Sequence, residues 1–311
     1  MAIVVIGTSF VDIKGFPTDV YIPAGRNAGN VEIIHGGVGR NVAEDIANLE
    51  LRPVYVSMVD DSAQGRDVLN KLQNHKVNTD YIIEVKDGMG MWLAVFDETG
   101  DVVGSISKRP VMQPLANLIE DKGDEIFRNA DSIVVEIDID KNIVKSVIRF
   151  AKKYNKKIYA LVANMSIAAE RRDFLKSTDC FIYNAQEAGI LFLDDFSDLE
   201  PEQLADILLE KIANAGINSM VVTLGNRGAV FASSTGEKGV CPAAAVKVRD
   251  TTGAGDAFCA GLSAALTYGK SLKEAVEIGN RLASSVIVIN ENVCPRFQPE
   301  ELGIDVKNRL V

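Results

Sequence analysis

Short apolar runs rich in β-branched residues alternate with longer stretches of helical period along almost the whole chain, and no other feature limits its fold as much. The runs occupy 3–6, 54–58, 132–135, 157–161, 180–183 and 220–224. They are unbroken rather than alternating, the pattern of strands covered on both faces, as in a parallel sheet. Helical stretches at 40–48, 63–75, 140–154, 201–215, 254–268 and 271–289 separate them. The alternation predicts βαβ units, with helices on both faces of the sheet. A chain of 311 residues has room for two average domains, or for one large α/β domain with an excursion.

One region departs from the pattern. Residues 92–96 and 102–106 are strand-like and flank Asp97-Glu-Thr-Gly100, a turn sequence, which predicts a hairpin. Residues 15–34, with Pro17, Pro23, Gly25 and Gly29, lack helical period and supply further extended pieces. Together the segments at about 13–35 and 88–110 predict a small β excursion acting as a lid, with a pair of surface loops as the plainer alternative. A lid whose apolar face exceeds what a site can cover would pair with a second copy, giving a homodimer.

Composition narrows the partners. Lys and Arg number 33 against 43 Asp and Glu, a net charge of −10, which argues against nucleic acid or an anionic membrane and for a small molecule. The cysteines at 180, 241, 259 and 294 are too far apart for a redox pair or a zinc knuckle. With His35 and His75 as the whole histidine complement, a His-rich metal site and a Ser-His-Asp triad are poor readings. Residues 1–7 lack a basic leader and read as a strand, and no apolar run approaches the roughly 18 residues of a membrane span. A cytoplasmic location is the expectation.

The segment most suggestive of chemistry is Arg249-Asp-Thr-Thr-Gly-Ala-Gly-Asp-Ala-Phe-Cys-Ala-Gly261, after strand-like residues 245–248 and opening a helix of small and apolar residues. Gly253 and Gly255 let the backbone turn tightly and aim amide N–H groups outward at a helix N-terminus, where phosphate binds best. Asp256 is placed to accept a proton from a hydroxyl beside that phosphate, as a general base in phosphoryl transfer. An acid complementing the helix dipole is the alternative. A second cluster, His35-Gly-Gly-Val-Gly-Arg-Asn41, allows close backbone approach to a ligand, and Asn41 offers both donor and acceptor to a polyhydroxy substrate, or else serves as an N-cap. A dinucleotide fingerprint is absent after the first strand, since Gly7 precedes Thr8, Ser9, Phe10, Val11 and Asp12. Gly269-Lys-Ser271 imitates a P-loop end but lacks its first glycine, Ala264 standing there; Gly269 ends one helix, and Ser271 with Glu274 forms a capping box for the next.

Taken together, the two glycine clusters resemble the PfkB, or ribokinase-like, family of carbohydrate kinases. Residues 250–261 are similar to its C-terminal signature throughout, and Gly36-Gly-Val-Gly-Arg-Asn41 to its N-terminal one, although Glu50 stands where a small residue usually closes that pattern. Thr223-Leu-Gly-Asn-Arg-Gly228 resembles the family's nucleotide-side turn and Asn184-Ala-Gln-Glu187 its N-x-x-E motif. The resemblance covers nearly the whole chain and implies a single ribokinase-like domain over 1–311. Its fold is a three-layer α/β/α sandwich with a mostly parallel sheet and a small β lid.

It also implies ATP- and Mg²⁺-dependent transfer of a γ-phosphoryl group to the primary hydroxyl of a sugar or nucleoside. In that scheme Asp256 is the base, and the amides of Gly253, Ala254 and Gly255 stabilise the developing charge. Asp12, Gly37, Asn41 and Glu136 bind substrate, Asp138 competing with Glu136. Asn184 and Glu187 order Mg²⁺ through water. Thr223, Gly225 and Gly228 fall near the phosphates and ribose, and Asn280 near adenine. Asp250 and Thr252 are the neighbours of a monovalent cation, K⁺, found in some members. Phe10 replaces the amide of the G-x-x-N-x-D sequence seen in ribokinases and pseudouridine kinases, so a site for free ribose loses a polar partner there. The run 11–16 followed by 30–41 is most similar to the pseudouridine-kinase branch. Phe10 or Trp92 could stack on a base, the reading as lid core being the stronger. A catalytically idle member that binds a sugar or nucleotide as a regulator is the alternative function.

Overall fold

The computed structural model describes residues 2–162, 172–196 and 199–306. In chain order the strands are β1 (Ala2–Ile6), β2 (Phe10–Pro17), β3 (Gly29–Gly36), β4 (Val54–Val59), β5 (Ile82–Glu84), β6 (Gly90–Phe96), β7 (Val102–Lys108), β8 (Ala130–Glu136), β9 (Lys157–Leu161), β10 (Cys180–Asn184), β11 (Ser219–Thr223), β12 (Ala229–Ser233) and β13 (Lys238–Cys241). The helices are α1 (Val38–Asn48), α2 (Ala63–Asn74), α3 (Gln113–Arg128), α4 (Lys141–Lys153), the one-turn α5 (Arg172–Leu175), α6 (Ala185–Phe192), α7 (Pro201–Ala215), α8 (Ala254–Thr267) and α9 (Leu272–Val286).

Nine strands form the main sheet in the order β13-β12-β11-β10-β9-β8-β1-β4-β5. From β5 to β11 every neighbouring pair is parallel, and β12 and β13 close one edge as antiparallel strands. Alternation along β1 divides the core: Ile3 and Val5 join one apolar cluster with α1, α2, α8 and α9, while Val4 and Ile6 join another with α3, α4, α6 and α7. This is the predicted three-layer sandwich. Helix α8 lies deepest, its residues from Ala257 to Ala265 all buried, so its small side chains act as spacers between the sheet and α9.

A second sheet, ordered β3-β2-β6-β7, stands outside the sandwich. β3 and β7 pair antiparallel with β2 and β6, which pair parallel to each other. The predicted hairpin is β6 and β7, and residues 15–34 supply most of β3 and the end of β2, so the reading as mere surface loops is set aside. Trp92 packs edge-on against Phe96 at 6.5 Å, and Phe96 stacks on Phe16 at 4.7 Å. All three rings belong to the face of this sheet that also carries Phe10, Asp12 and Lys14.

Two expectations are corrected, and one helix was not foreseen. Residues 245–248 form no strand: Val246 and Val248 are exposed, and the chain is tied instead by the Arg249 N–H donating to the Ile287 carbonyl at 2.7 Å. The predicted helix over 271–289 ends at Val286. The α3 helix went unpredicted because its buried residues Leu115, Ile119, Ile126 and Phe127 are spread through a charged stretch containing Gly123. The Ser271 and Glu274 capping box is present, and Gly269 takes the positive φ that ends α8's turn.

Phe127 of α3 is fully buried and stacks on Phe150 of α4 at 5.3 Å. Phe127→Ala is expected to lower unfolding free energy by about 3–5 kcal/mol, measured by urea denaturation, with m unchanged.

Candidate active site

The carboxyl ends of β1, β8, β10 and β11 deliver Gly7, Glu136, Asn184 and Thr223 to one edge of the main sheet, the edge where parallel α/β sheets bind ligands. Glu136 is buried there, and its carboxylate serves the chain itself. Oε1 accepts from the Thr8 N–H at 2.9 Å and from the Gly39 N–H, and Oε2 accepts from the Thr8 hydroxyl at 2.9 Å. It thus pins the turn after β1 to the first turn of α1. Burial, reinforced by the charge of Asp138, holds its pKa well above the carboxylate range. Asp138 in turn receives Arg109 at 3.3 Å on its backbone carbonyl and its carboxylate.

Helix α1 begins after Gly37, whose φ of 96° and ψ of 122° bring its Cα so close to the Thr8 carbonyl that a Cβ would lie 2.3 Å from that oxygen. Asn41 is therefore one turn inside the helix, and its expected alternative role as N-cap is excluded. Its Nδ2 donates instead to Asp256 Oδ2 at 2.6 Å, linking α1 to α8. Gly253 caps α8 in the left-handed region, φ 82°, and a Cβ there would lie 2.0 Å from the Asn292 carbonyl. Above Gly255 there is open space. Of the three amides expected to face an anion, that of Ala254 is turned back onto the Thr251 carbonyl at 3.2 Å.

Asp12 reaches this group from the second sheet, its carboxylate lying against Gly36. Burial raises its pKa, opposed by the charges of Lys14 and Arg40. Arg40 is fully buried, giving a 2.5 Å ion pair to Glu44 and a hydrogen bond to the His35 carbonyl. Asn292 donates to the same His35 carbonyl at 2.7 Å. Neither Arg40 nor Asn292 was singled out from the sequence. Arg40 lies inside the glycine cluster, where a charged residue between Gly39 and Asn41 was the available signal; for Asn292 there was none.

The remaining expected residues form a second group. Asn184 and Glu187 make a reciprocal capping box on α6, with Glu187 N–H to Asn184 Oδ1 and Asn184 N–H to Glu187 Oε2 both 2.8 Å. Burial raises the pKa of Glu187, and the charge of Asp138 adds to the effect. Thr223 pairs in register with Asn184 and donates its hydroxyl to the Tyr183 carbonyl at 3.3 Å. Gly225 opens a single helical turn that Gly228 ends, and Asn280 donates its amide to the Cys241 carbonyl at 3.1 Å. Asp250 and Thr252 are bonded to each other, the carboxylate accepting from the Thr252 N–H at 2.9 Å and hydroxyl at 2.8 Å.

A partly enclosed cavity of about 110 Å³ lies between Thr8, Phe10, Arg109, Met112, Glu136 and Asp138. Phe10 forms its wall and also packs against Gly90. A larger depression of about 660 Å³ is an open groove at the amino ends of β1 and β4, away from all these residues.

The site's combination has close parallels. The sequence profile described as pfkB family carbohydrate kinase matches residues 2–289. A guanosine-inosine kinase from Exiguobacterium acetylicum is 33% identical over 292 residues, covering 93% of this chain and 95% of that protein. The pseudouridine kinase of Escherichia coli is 24% identical, covering 92% and 90%. Among solved structures, Arabidopsis thaliana ribokinase complexed with ribose and ATP superposes with a TM-score of 0.83 at 23% identity, over 97% of this chain and 99% of that one.

Burial pushes the Asp256 carboxyl up to about 7; the Asn41 hydrogen bond and Arg40 oppose this, and the charge of Asp12 adds to it. An acid whose folded pKa exceeds its unfolded one keeps its proton in the native state where the unfolded chain has lost it, so its contribution to stability falls as pH rises from about 4 to about 7. Asp256→Asn removes that loss. The variant should be more stable than the parent by on the order of 2 kcal/mol at about pH 8, with the difference vanishing toward pH 4, as read by thermal melts across that range.

Proposed function

Because this chain belongs to the pfkB family of carbohydrate kinases, an ATP-dependent phosphotransferase family acting on a hydroxyl of a sugar or nucleoside, we propose that its acceptor is a nucleoside, with Asp256 as the general base. The observation that carries the base assignment is the Asp256 carboxylate at the first turn of α8, held by Asn41 at 2.6 Å and poised near 7. A general base works best when its pKa lies near the working pH. The acceptor's primary hydroxyl gives its proton to Asp256 as its oxygen attacks the γ-phosphorus, and the bond from that phosphorus to the β–γ bridging oxygen breaks to release ADP. The Gly253 and Gly255 end of α8 faces the growing negative charge with the helix's positive end, and Ala254 joins if its turn bond opens. Asp12 and Asn41 are assigned to the sugar hydroxyls, beside the Gly37 backbone. Glu136 acts one step back, by fixing Thr8 and Gly39.

On the donor side we assign Asn184, Thr223, Gly225, Gly228 and Asn280 to the nucleotide. Mg²⁺ is assigned beside Glu187, a carboxylate at the carboxyl edge of the sheet whose pKa is raised first by burial and then by the charge of Asp138. When bound, the ion would supply charge neutralisation for the triphosphate, with Glu187 and Asn184 holding it through water. Asp250 and Thr252 are the proposed neighbours of a K⁺ ion. The nucleoside class is supported by the guanosine-inosine kinase and pseudouridine kinase relatives, and the aromatic Phe10 in place of an amide disfavours free ribose. The second sheet, with Asp12 on its inner face, is read as the lid that excludes water. We place the enzyme in the cytoplasm: its four cysteines are free and buried, and no described helix is long and apolar enough to cross a membrane.

Coupled measurement of ADP release with Mg²⁺-ATP is expected to respond to inosine, guanosine or pseudouridine more than to ribose. In Asp256→Asn, kcat should fall by about 10³-fold or more while ATP binding persists. Near-normal turnover in that variant would remove the base assignment.

The outer face of the second sheet supports a homodimer. Ile33, Ile13, Leu93 and Ile106 form one row across its four strands, and Ile33 and Ile106 are 58% and 70% exposed. A patch of this kind on a regular sheet is self-complementary and suits a two-fold interface. Light scattering at micromolar concentration should give twice the chain mass, and Ile33→Lys with Ile106→Lys should halve it.

A further inference from the structure

Asn292 touches both segments that the Asn41 and Asp256 contact joins, yet the scheme above gives it no task. It belongs to the stretch after α9 and is only 6% exposed. Its carbonyl presses on Gly253 at the start of α8, while its side chain turns toward α1. Nδ2 donates to the His35 carbonyl at 2.7 Å and, in a longer contact of 3.4 Å, to Asn41 Oδ1.

A side-chain amide turned over keeps its shape but exchanges donor for acceptor, so something must fix which way Asn41 faces. The His35 carbonyl supplies the fixed point. It can only accept, so the Asn292 nitrogen must face it. The other N–H of that nitrogen is then the one aimed at Asn41, which meets it with oxygen. Asn41 is left to present its own nitrogen to Asp256 Oδ2, at 2.6 Å. A backbone carbonyl thus sets, through two amides, the atom that faces the carboxyl group.

The opposite arrangement is chemically open to Asp256. A nitrogen donor stabilises the carboxylate, whereas an oxygen acceptor would pair with the protonated acid. Turned over, however, Asn41 would set its nitrogen against that of Asn292, donor against donor. The charges around Asp256 are mixed: Arg40 on α1 favours the carboxylate and Asp12 on β2 the acid, while Asp45 on α1 and Cys259 on α8 feel the charge of Asp256 in turn. Helix α9 meets α8 through Ile278 and Gly279, and β8 and β9 reach it at Thr267.

We propose that Asn292 is a positioning residue that holds the Asn41 amide with its donor toward Asp256, keeping that carboxyl group in the form that accepts the substrate's proton. This rests on the reading of Asp256 as the base. Asn292→Leu removes the donor at similar size and leaves the His35 carbonyl bonded to Arg40. Since the base works as carboxylate, a weaker hold on that form moves the acidic limb of kcat/KM to higher pH. The limb should rise by about one pH unit, a loss of about tenfold on its acid side. On the alkaline plateau the rate should return to within about threefold, because an ionised Asp256 draws the freed Asn41 amide back. Asn292→Ala, which adds no bulk, should give the same displacement, and thermal melts report whether each variant is folded. A folded variant that loses rate equally at every pH, its limb unmoved, would overturn the proposal. A readout without turnover is the gain in Tm that Asp256→Asn brings at alkaline pH: it should be larger in the Asn292→Leu background than in the parent, and an equal gain would also count against Asn292. Near-normal turnover in Asp256→Asn removes the base reading itself, whereas collapse there with an unmoved limb in Asn292→Leu removes this proposal alone.

Discussion

The bond from the Asn41 amide to the Asp256 carboxylate, 2.6 Å long, joins the first turns of two helices whose starting points are more than two hundred residues apart in the chain. Everything at the site is placed relative to that contact. It can form because both helices begin without a side chain in the way: Gly37 presses on Thr8 and Gly253 on Asn292. Below it, Glu136 ties the turn after β1 to α1, so three separate segments share one rigid floor. That floor is acidic. Asp12, Glu136, Glu187 and Asp256 are all held above their ordinary pKa by burial, and Arg40 is the fully buried cation set among them. Gathering carboxyl groups in one buried place raises the cost of ionising each of them.

Much of this was legible in residue order. The apolar runs identified every strand of the parallel sheet but the short, half-exposed β5, because burial on both faces leaves an unbroken signature, and Gly253, Gly255 and Asp256 stood out because two glycines flanking a helix start have few other uses. What could not be read was anything depending on a partner. Residues 245–248 have strand composition but no neighbouring edge to pair with. The β12 and β13 hairpin is built from small residues such as Ala229, Ala232 and Gly239, which announce no preference by themselves. Asn41 was visible as a polar residue of interest, yet only its place one turn inside α1 excludes the helix cap, and only the fold brings its amide to Asp256. Glu136 and Glu187 show the same limit, since a carboxylate that serves the backbone and one that faces a ligand look identical in sequence.

The distribution of apolar surface follows a similar logic. The sandwich hides its large side chains almost completely, while the second sheet leaves Ile33, Leu93 and Ile106 in the open. Its inner face carries the opposite character, with Asp12 and Lys14 set among aromatic rings. Neighbouring residues on β2 thus answer to different demands, and a one-residue slip in its pairing would exchange the two faces.

The backbone crosses between the two sheets four times, after β1, after β3, before β6 and after β7. A body moored at four points can tip about them but cannot glide or detach. Three of the moorings, at Thr8, Gly37 and Arg109, are themselves in contact with the floor of the site. Any tilt of the outer sheet is therefore geared directly to the turn that Glu136 grips.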